Sequence, residues 1–239
     1  MDELKEFNPT FENGGFWEYY KDLERQFEDF LVYVPYLDGN EKTYSFRLAN
    51  LLLNIGAHVD SAFKEIARYP ELSNKYPNIL KKADGTVNKP TIWDYYILAN
   101  EYNLQKTYLL FKRLPDREMI FPFRDYKKQV NFEDEKEKVQ PPYWWDVYNA
   151  VKHHFKDNFY RANLKTTRDA LAGAFLLNVV HKPAVLRLND IGLLKPIDPE
   201  EGQLITSMIE DNFLHNSFPP AIIETNLFYY EYGFGCEYK

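Results

Sequence analysis

From Ser45 onward, Leu48, Leu51, Leu52, Ile55, Val59, Ala62, Phe63 and Ile66 recur at three- and four-residue spacing. That period puts all of them on one face of an α-helix, and a chain with such a stripe must stack other elements against it. Ser45 stands where an N-cap belongs, and Pro70 lies beyond the end of the run. The segment is expected to be a central core element.

Other helices follow from the same rule. Phe16, Tyr20, Leu23, Phe27, Phe30 and Leu31 predict a helix from 16 to about 34, stopped by Pro35. Pro70, Pro77, Asp84-Gly85 and Pro90 mark 70–90 as an irregular insertion with a short helix near 72–80, after which Thr91 caps a helix to about Asn103. Two further helices are expected over about 143–160 and 164–181, then Pro-containing breaks at Pro183 and Pro196–Pro199 and a short helix over about 200–214. The segments around KTYLLFK and REMIFPF, separated by Pro115-Asp116, and LFYYEYGF at 227–234 are β-compatible. The charge run at 131–140 reads as a solvated loop. The expected fold is mainly α: a helical bundle of four to five long helices in one domain over 1–239, with a minor β elaboration at about 106–124 and 227–234.

Composition narrows the function classes. With 45% apolar and 27% charged residues over 239 positions, the chain has the make-up of a folded protein rather than a disordered one. The net charge of -7 offers no general attraction for phosphate backbones, so nucleic-acid contact has to come from a local patch. The lone Cys236 cannot make an intramolecular disulfide, and no signal peptide or run of about 18 apolar residues is present, so a cytoplasmic location without a membrane is expected. The 19 Tyr and 18 Phe suggest a ring-rich core with several rings reaching the surface or an interface.

Chemistry concentrates between Pro141 and Val180. At helical spacing Trp144, Val147, Tyr148, Val151, Phe155 and Phe159 form a core stripe, while Asn149 and His153 lie opposite with Asp146, Lys152, Lys156 and Asp157 nearby. A neutral-range titrating His beside a fixed Lys charge can hold a phosphate or move a proton, although the same residues also describe an ordinary solvated face. Trp145, on the edge of the stripe, is a candidate exposed ring for stacking a base. A second polar strip, Arg47, Asn54 and His58, borders the apolar face of the 45–68 helix. The five histidines form no His-x-x-x-His or HExxH pair, and GxGxxG, P-loop and GxSxG signatures are missing; neither a metal nor another cofactor is expected.

The stretches WWDVYNAVKHHF and ANLKTTRDALAGAFLL, together with SFRLANLLLNIGAHVDSAFKEI, resemble the helices of HEPN-like bundles over about half of the chain. The resemblance implies an all-α bundle that homodimerises and acts on RNA without metal in toxin-antitoxin or antiviral defence systems. The family's active site uses an Arg, four to six residues, then a His. His153 would take the histidine role and Asn149 the polar position after the Arg, but Tyr148 stands where the Arg would be, and no Arg lies five to seven positions before any histidine. Lys152, Arg161 or Arg47 would have to supply the charge. Three readings follow: an interaction or RNA-associated module with a degenerate nuclease motif, a metal-independent endoribonuclease using His153, and a binder of nucleotides or other small molecules.

Overall fold

The computed structural model describes residues 15–82, 85–113, 118–130, 137–196 and 221–231. Its helices are α1 (Gly15–Tyr33), α2 (Phe46–Ile66), α3 (Pro70–Lys75), α4 (Ile92–Glu101), α5 (Tyr143–His153), α6 (Phe155–Asn158), α7 (Leu164–Val180) and α8 (Lys182–Asp190), with 3-10 turns at Pro77–Ile79 and Phe159–Arg161. The strands are β1 (Leu109–Phe111), β2 (Glu118–Ile120), β3 (Lys127–Val130), β4 (Glu137–Gln140), β5 (Leu194–Pro196), β6 (Ala221–Glu224) and β7 (Phe228–Glu231).

The helical bundle expected from periodicity is corrected to an α+β fold. Five antiparallel strands in the order β2-β1-β7-β6-β5 form one sheet, and β3 with β4 makes a separate ribbon. The two hairpins β1-β2 and β6-β7 were partly visible as β-compatible runs, but β5 and β6 were not anticipated. Sheet formation depends on remote pairings such as Leu110 with Tyr229, which local patterning cannot announce. Residues 137–140 of the supposed charged loop are strand, with Lys128 opposite Val139. The Pro115-Asp116 turn, the 200–214 helix and Cys236 lie outside the described residues.

α2 has the role its stripe demands: Ser45 Oγ accepts from Leu48 N at 3.1 Å, and Leu48 to Ile66 turn inward. The central element, however, is α7, which is buried on nearly every face from Leu164 to Val180. α1, α2, α5 and α8 all pack on it. No polar face is needed on a helix so enclosed, which is why its pattern carries little periodicity. Pro183, expected only as a break, occupies the first turn of α8, where a missing N–H does no harm.

Two buried charges join the sheet to the helices. Glu24 on α1 is fully buried and accepts from Tyr20 Oη and Leu227 N at 3.3 Å each, and also from Thr225 Oγ1, which fastens α1 to the β6-β7 turn. Arg168 on α7 is 2% exposed; it donates to Asp169 through Nε at 2.9 Å and Nη2 at 2.7 Å, and to Glu118 on β2. Its guanidinium also lies over the Tyr36 ring, 4.7 Å from the centroid. Removing one partner from such a buried set costs about 3–5 kcal/mol, because the other charge is left uncompensated.

Candidate functional site

Gly56, in the middle of α2, sets the geometry of the site. A Cβ at this position would lie 2.5 Å from Cε2 of Tyr148, so only glycine lets α5 approach α2 closely enough to lay that ring across the helix. Lower on α5, Trp144 turns to the core, donates from Nε1 to Pro122 O at 2.7 Å and crowds Gly173 of α7. Beside this contact a cleft of about 410 Å³ opens between α2, α4 and α5.

The cleft gathers Asn149, Lys152, His153, Trp145 and Tyr148 from α5, Asp60 and Lys64 from α2, and Thr91, Ile92 and Trp93 at the start of α4. Asn149, half-buried, and His153, exposed, both border this open cleft. Lys152 Nζ is 3.3 Å from Tyr148 Oη, and Lys64 pairs with Asp60 one turn earlier. Trp93 is half exposed at the rim. The N-terminus of α4 is already complemented by its own acid: Asp94 Oδ2 accepts from Thr91 N at 2.7 Å and from Thr91 Oγ1 at 2.9 Å. Positive charge in the cleft thus comes from side chains.

Trp145 corrects the sequence reading. Expected as an exposed ring, it is 4% exposed and packs against Tyr148 at 4.9 Å between centroids. Its buried indole N–H has no acceptor among the described residues. A buried donor in that position is short of one hydrogen bond, a deficit of about 1–3 kcal/mol.

The second polar strip does not form a site. Arg47 is exposed, 3.6 Å from Asp29 Oδ2, and Asn54 is exposed on the outer face of α2. His58 turns inward and is 3% exposed, with Nε2 2.9 Å from Nδ2 of Asn178 on α7. Because an amide nitrogen can only donate, that assignment makes Nε2 the acceptor and puts the ring proton on Nδ1. Burial pushes the His58 pKa down to about 4. His181, expected only as the end of a helix, lies close by with Phe16 against its ring and neither ring nitrogen paired among the described residues; burial, aided by repulsion from His58, holds its pKa at about 3.

The helix expected over 143–160 is broken at His154, whose backbone leaves the helical region at φ -139° and ψ 59°. Phe155 and Phe159 thereby leave the core stripe and stack on Phe46 at the start of α2. Arg161 donates to Asn158 Oδ1 at 3.2 Å, beyond this break and outside the cleft lining. Asp146 also lies outside that lining; burial raises its pKa, and the charges of Arg161 and Lys138 oppose the rise.

Fold and site together define an α+β protein with a cleft lined by two tryptophans, two lysines, an aspartate and a histidine. Comparison with family models, with curated proteins and with solved structures finds no match for the chain. Among the described residues, no cluster of three His, Cys, Asp or Glu side chains has the arrangement of a metal site, and no single helix is long and apolar enough to cross a membrane. Sequence reasoning missed Lys64, Asp60 and Trp93. Their separation from α5 along the chain hides the relation, although the Asp60-Lys64 spacing and the Thr91 cap were legible.

Proposed function

We propose that the protein is an RNA-associated binding module that takes a nucleotide unit in the cleft between α2, α4 and α5. The carrying observation is that Asn149, Lys152 and His153 share one cleft with Lys64 and two tryptophans. In this reading Lys64 and Lys152 neutralise phosphate, Asn149 and His153 hydrogen-bond the sugar or base edge, and Trp93 provides a stacking face. RNA as the ligand class follows from the sequence resemblance of the α2, α5 and α7 segments to HEPN-like helices, although the α+β fold departs from the all-α bundle of that family.

The reading is binding rather than cleavage. Lys64 is engaged by Asp60 and Lys152 by the Tyr148 hydroxyl, so neither is a rigid bidentate fork of the kind that steadies a phosphoryl transition state. Titration of the protein with a mononucleotide and with oligoribonucleotide, followed by tryptophan fluorescence, tests the proposal. Saturable quenching that Lys152→Ala weakens about tenfold is expected, in line with one charge-assisted contact. Failure of the wild-type protein to bind either ligand overturns it. RNA cleavage by the wild type that His153→Ala abolishes would replace binding with catalysis.

A further inference from the structure

Beyond the C-terminus of α5, a ladder of rings joins the start of α2 to α6 and the 3-10 turn that follows it. Phe46 lies nearly parallel to Phe159, with centroids 5.0 Å apart and planes 7° from one another, and to Phe155 at 6.1 Å and 8°. Tyr44 meets Phe159 and Tyr160 edge-on at 5.4 and 6.4 Å. Phe155 and Phe159 are half-buried against the core, whereas Phe46 is 65% exposed, and Tyr44 and Tyr160 are 51% and 53% exposed.

The ladder is held in place by backbone. Leu164 N donates to Thr43 O at 2.8 Å, Tyr44 forms a β-bridge with Asn163, and Asn163 Oδ1 caps α7 by accepting from Thr166 N at 2.9 Å. Ordering these large rings in water gains little unless something covers them, and the surrounding charge says what kind of partner suits them. Along 152–165 the cations Lys152, Lys156, Arg161 and Lys165 outnumber the acid Asp157 in a chain whose overall charge is -7, and of these Lys165 is 4.0 Å from Glu41 while Arg161 acts on Asp146. Cations interleaved with exposed, flat rings match a polyanion that carries aromatic faces, whereas a mostly apolar protein partner would leave those charges uncompensated.

We infer that this surface and the cleft form one track for single-stranded RNA, with bases stacked on the ring ladder and the backbone running past the lysines and Arg161. The inference rests on the nucleotide-binding reading of the cleft and extends it to the form of the nucleic acid. Phe46 and Lys64 lie on one helix at about 1.5 Å rise per residue, so the track is about 27 Å long, enough for a strand on the order of four or more nucleotides. A duplex is excluded as the preferred form, because its bases are already stacked on each other and cannot be laid on protein rings.

The test compares a fluorescein-labelled oligouridylate, a hairpin duplex and UMP as probes, using the wild type, Phe46→Ala, Tyr160→Ala and Lys152→Ala. Both ring residues are exposed, and unchanged melting temperatures verify that the variants fold. The expected result is preference for the single strand over the hairpin, with each ring substitution weakening oligouridylate binding about tenfold while leaving UMP binding unchanged. Oligouridylate affinity unaltered by both ring substitutions overturns the track and leaves the cleft reading intact. Loss of UMP and oligouridylate binding in the wild type sinks both. Equal or tighter binding of the hairpin, or a homodimer that Phe46→Ala dissociates without any change in RNA affinity, also overturns the inference.

Discussion

Two polar strips look alike in the sequence and end in opposite places. On α5, Asn149, Lys152 and His153 are drawn into a cleft with Lys64, Asp60 and Trp93. On α2, the strip of Arg47, Asn54 and His58 comes apart: Arg47 and Asn54 stay outside, while His58 is buried against Asn178. The α5 strip lies opposite its apolar stripe and the α2 strip beside its own, and in each case the neighbouring elements decide the outcome. α7 covers one edge of α2 and takes His58 into the core, whereas α4 stands off from α5 and leaves a concavity. A polar-strip histidine borders a cleft in one case and packs in the core in the other.

This comparison can be broken most forcefully at His58. Truncating the buried ring in His58→Ala should cost about 2–4 kcal/mol through the cavity and the lost Asn178 contact, whereas His153→Ala should change stability by less than about 0.5 kcal/mol and weaken nucleotide binding instead. Chemical denaturation of both variants checks this; equal stability losses would erase the distinction. Next is Gly56→Ala, which must push Tyr148 away from α2. An overpacking loss of about 1–3 kcal/mol is expected, together with weaker ligand binding, because the displaced ring lines the cleft. A destabilised variant that retains wild-type affinity would show that the α2-α5 contact does not shape the site.

Acid provides a third test. His58 and His181 have folded pKa values near 4 and 3, below the ordinary 6.5. The unfolded chain therefore binds more protons below about pH 6.5, so the stability conferred by keeping the rings neutral is present above that pH and is lost as pH falls toward 4 and below. His181→Phe removes the ring with no described hydrogen bond and keeps an aromatic body beside Phe16. It should raise the melting temperature more at pH 5 than at pH 7, and equal shifts at the two pH values would contradict the assignment. The smallest effect is expected from Asp60→Asn. It removes the acid beside Lys64 and should tighten mononucleotide binding about two- to fivefold at low salt, with the gain fading as salt rises. Weaker binding would mean that Asp60 itself holds the ligand.

Much of the helical framework was legible. The stripe from Leu48 to Ile66, the Ser45 cap and the Thr91 start of α4 are all local consequences of spacing and side-chain hydrogen bonding, and they fall within a few residues of the observed bounds. The grouping of Asn149, Lys152 and His153, three of the five α5 residues that line the cleft, was legible as well, since one helix suffices to bring them together. The sheet was not, because β1 and β7 pair across a long stretch of intervening chain, and because nothing local marks Glu24 and Arg168, which fasten it, as buried. The break at His154 also escaped periodicity: no proline or glycine marks it, and Phe155 and Phe159 fit the core stripe equally well until Phe46 offers them another surface.

By itself the sequence determined where helices start and stop and which residues share a face, since those depend on contacts within a few positions along the chain. Tertiary structure alone decided that the fold is α+β, that Trp145 is enclosed, that His58 is buried, and that Lys64, Trp93 and His153 border one cleft. Those outcomes depend on which distant surface covers a given face, and helical spacing says only that a face exists.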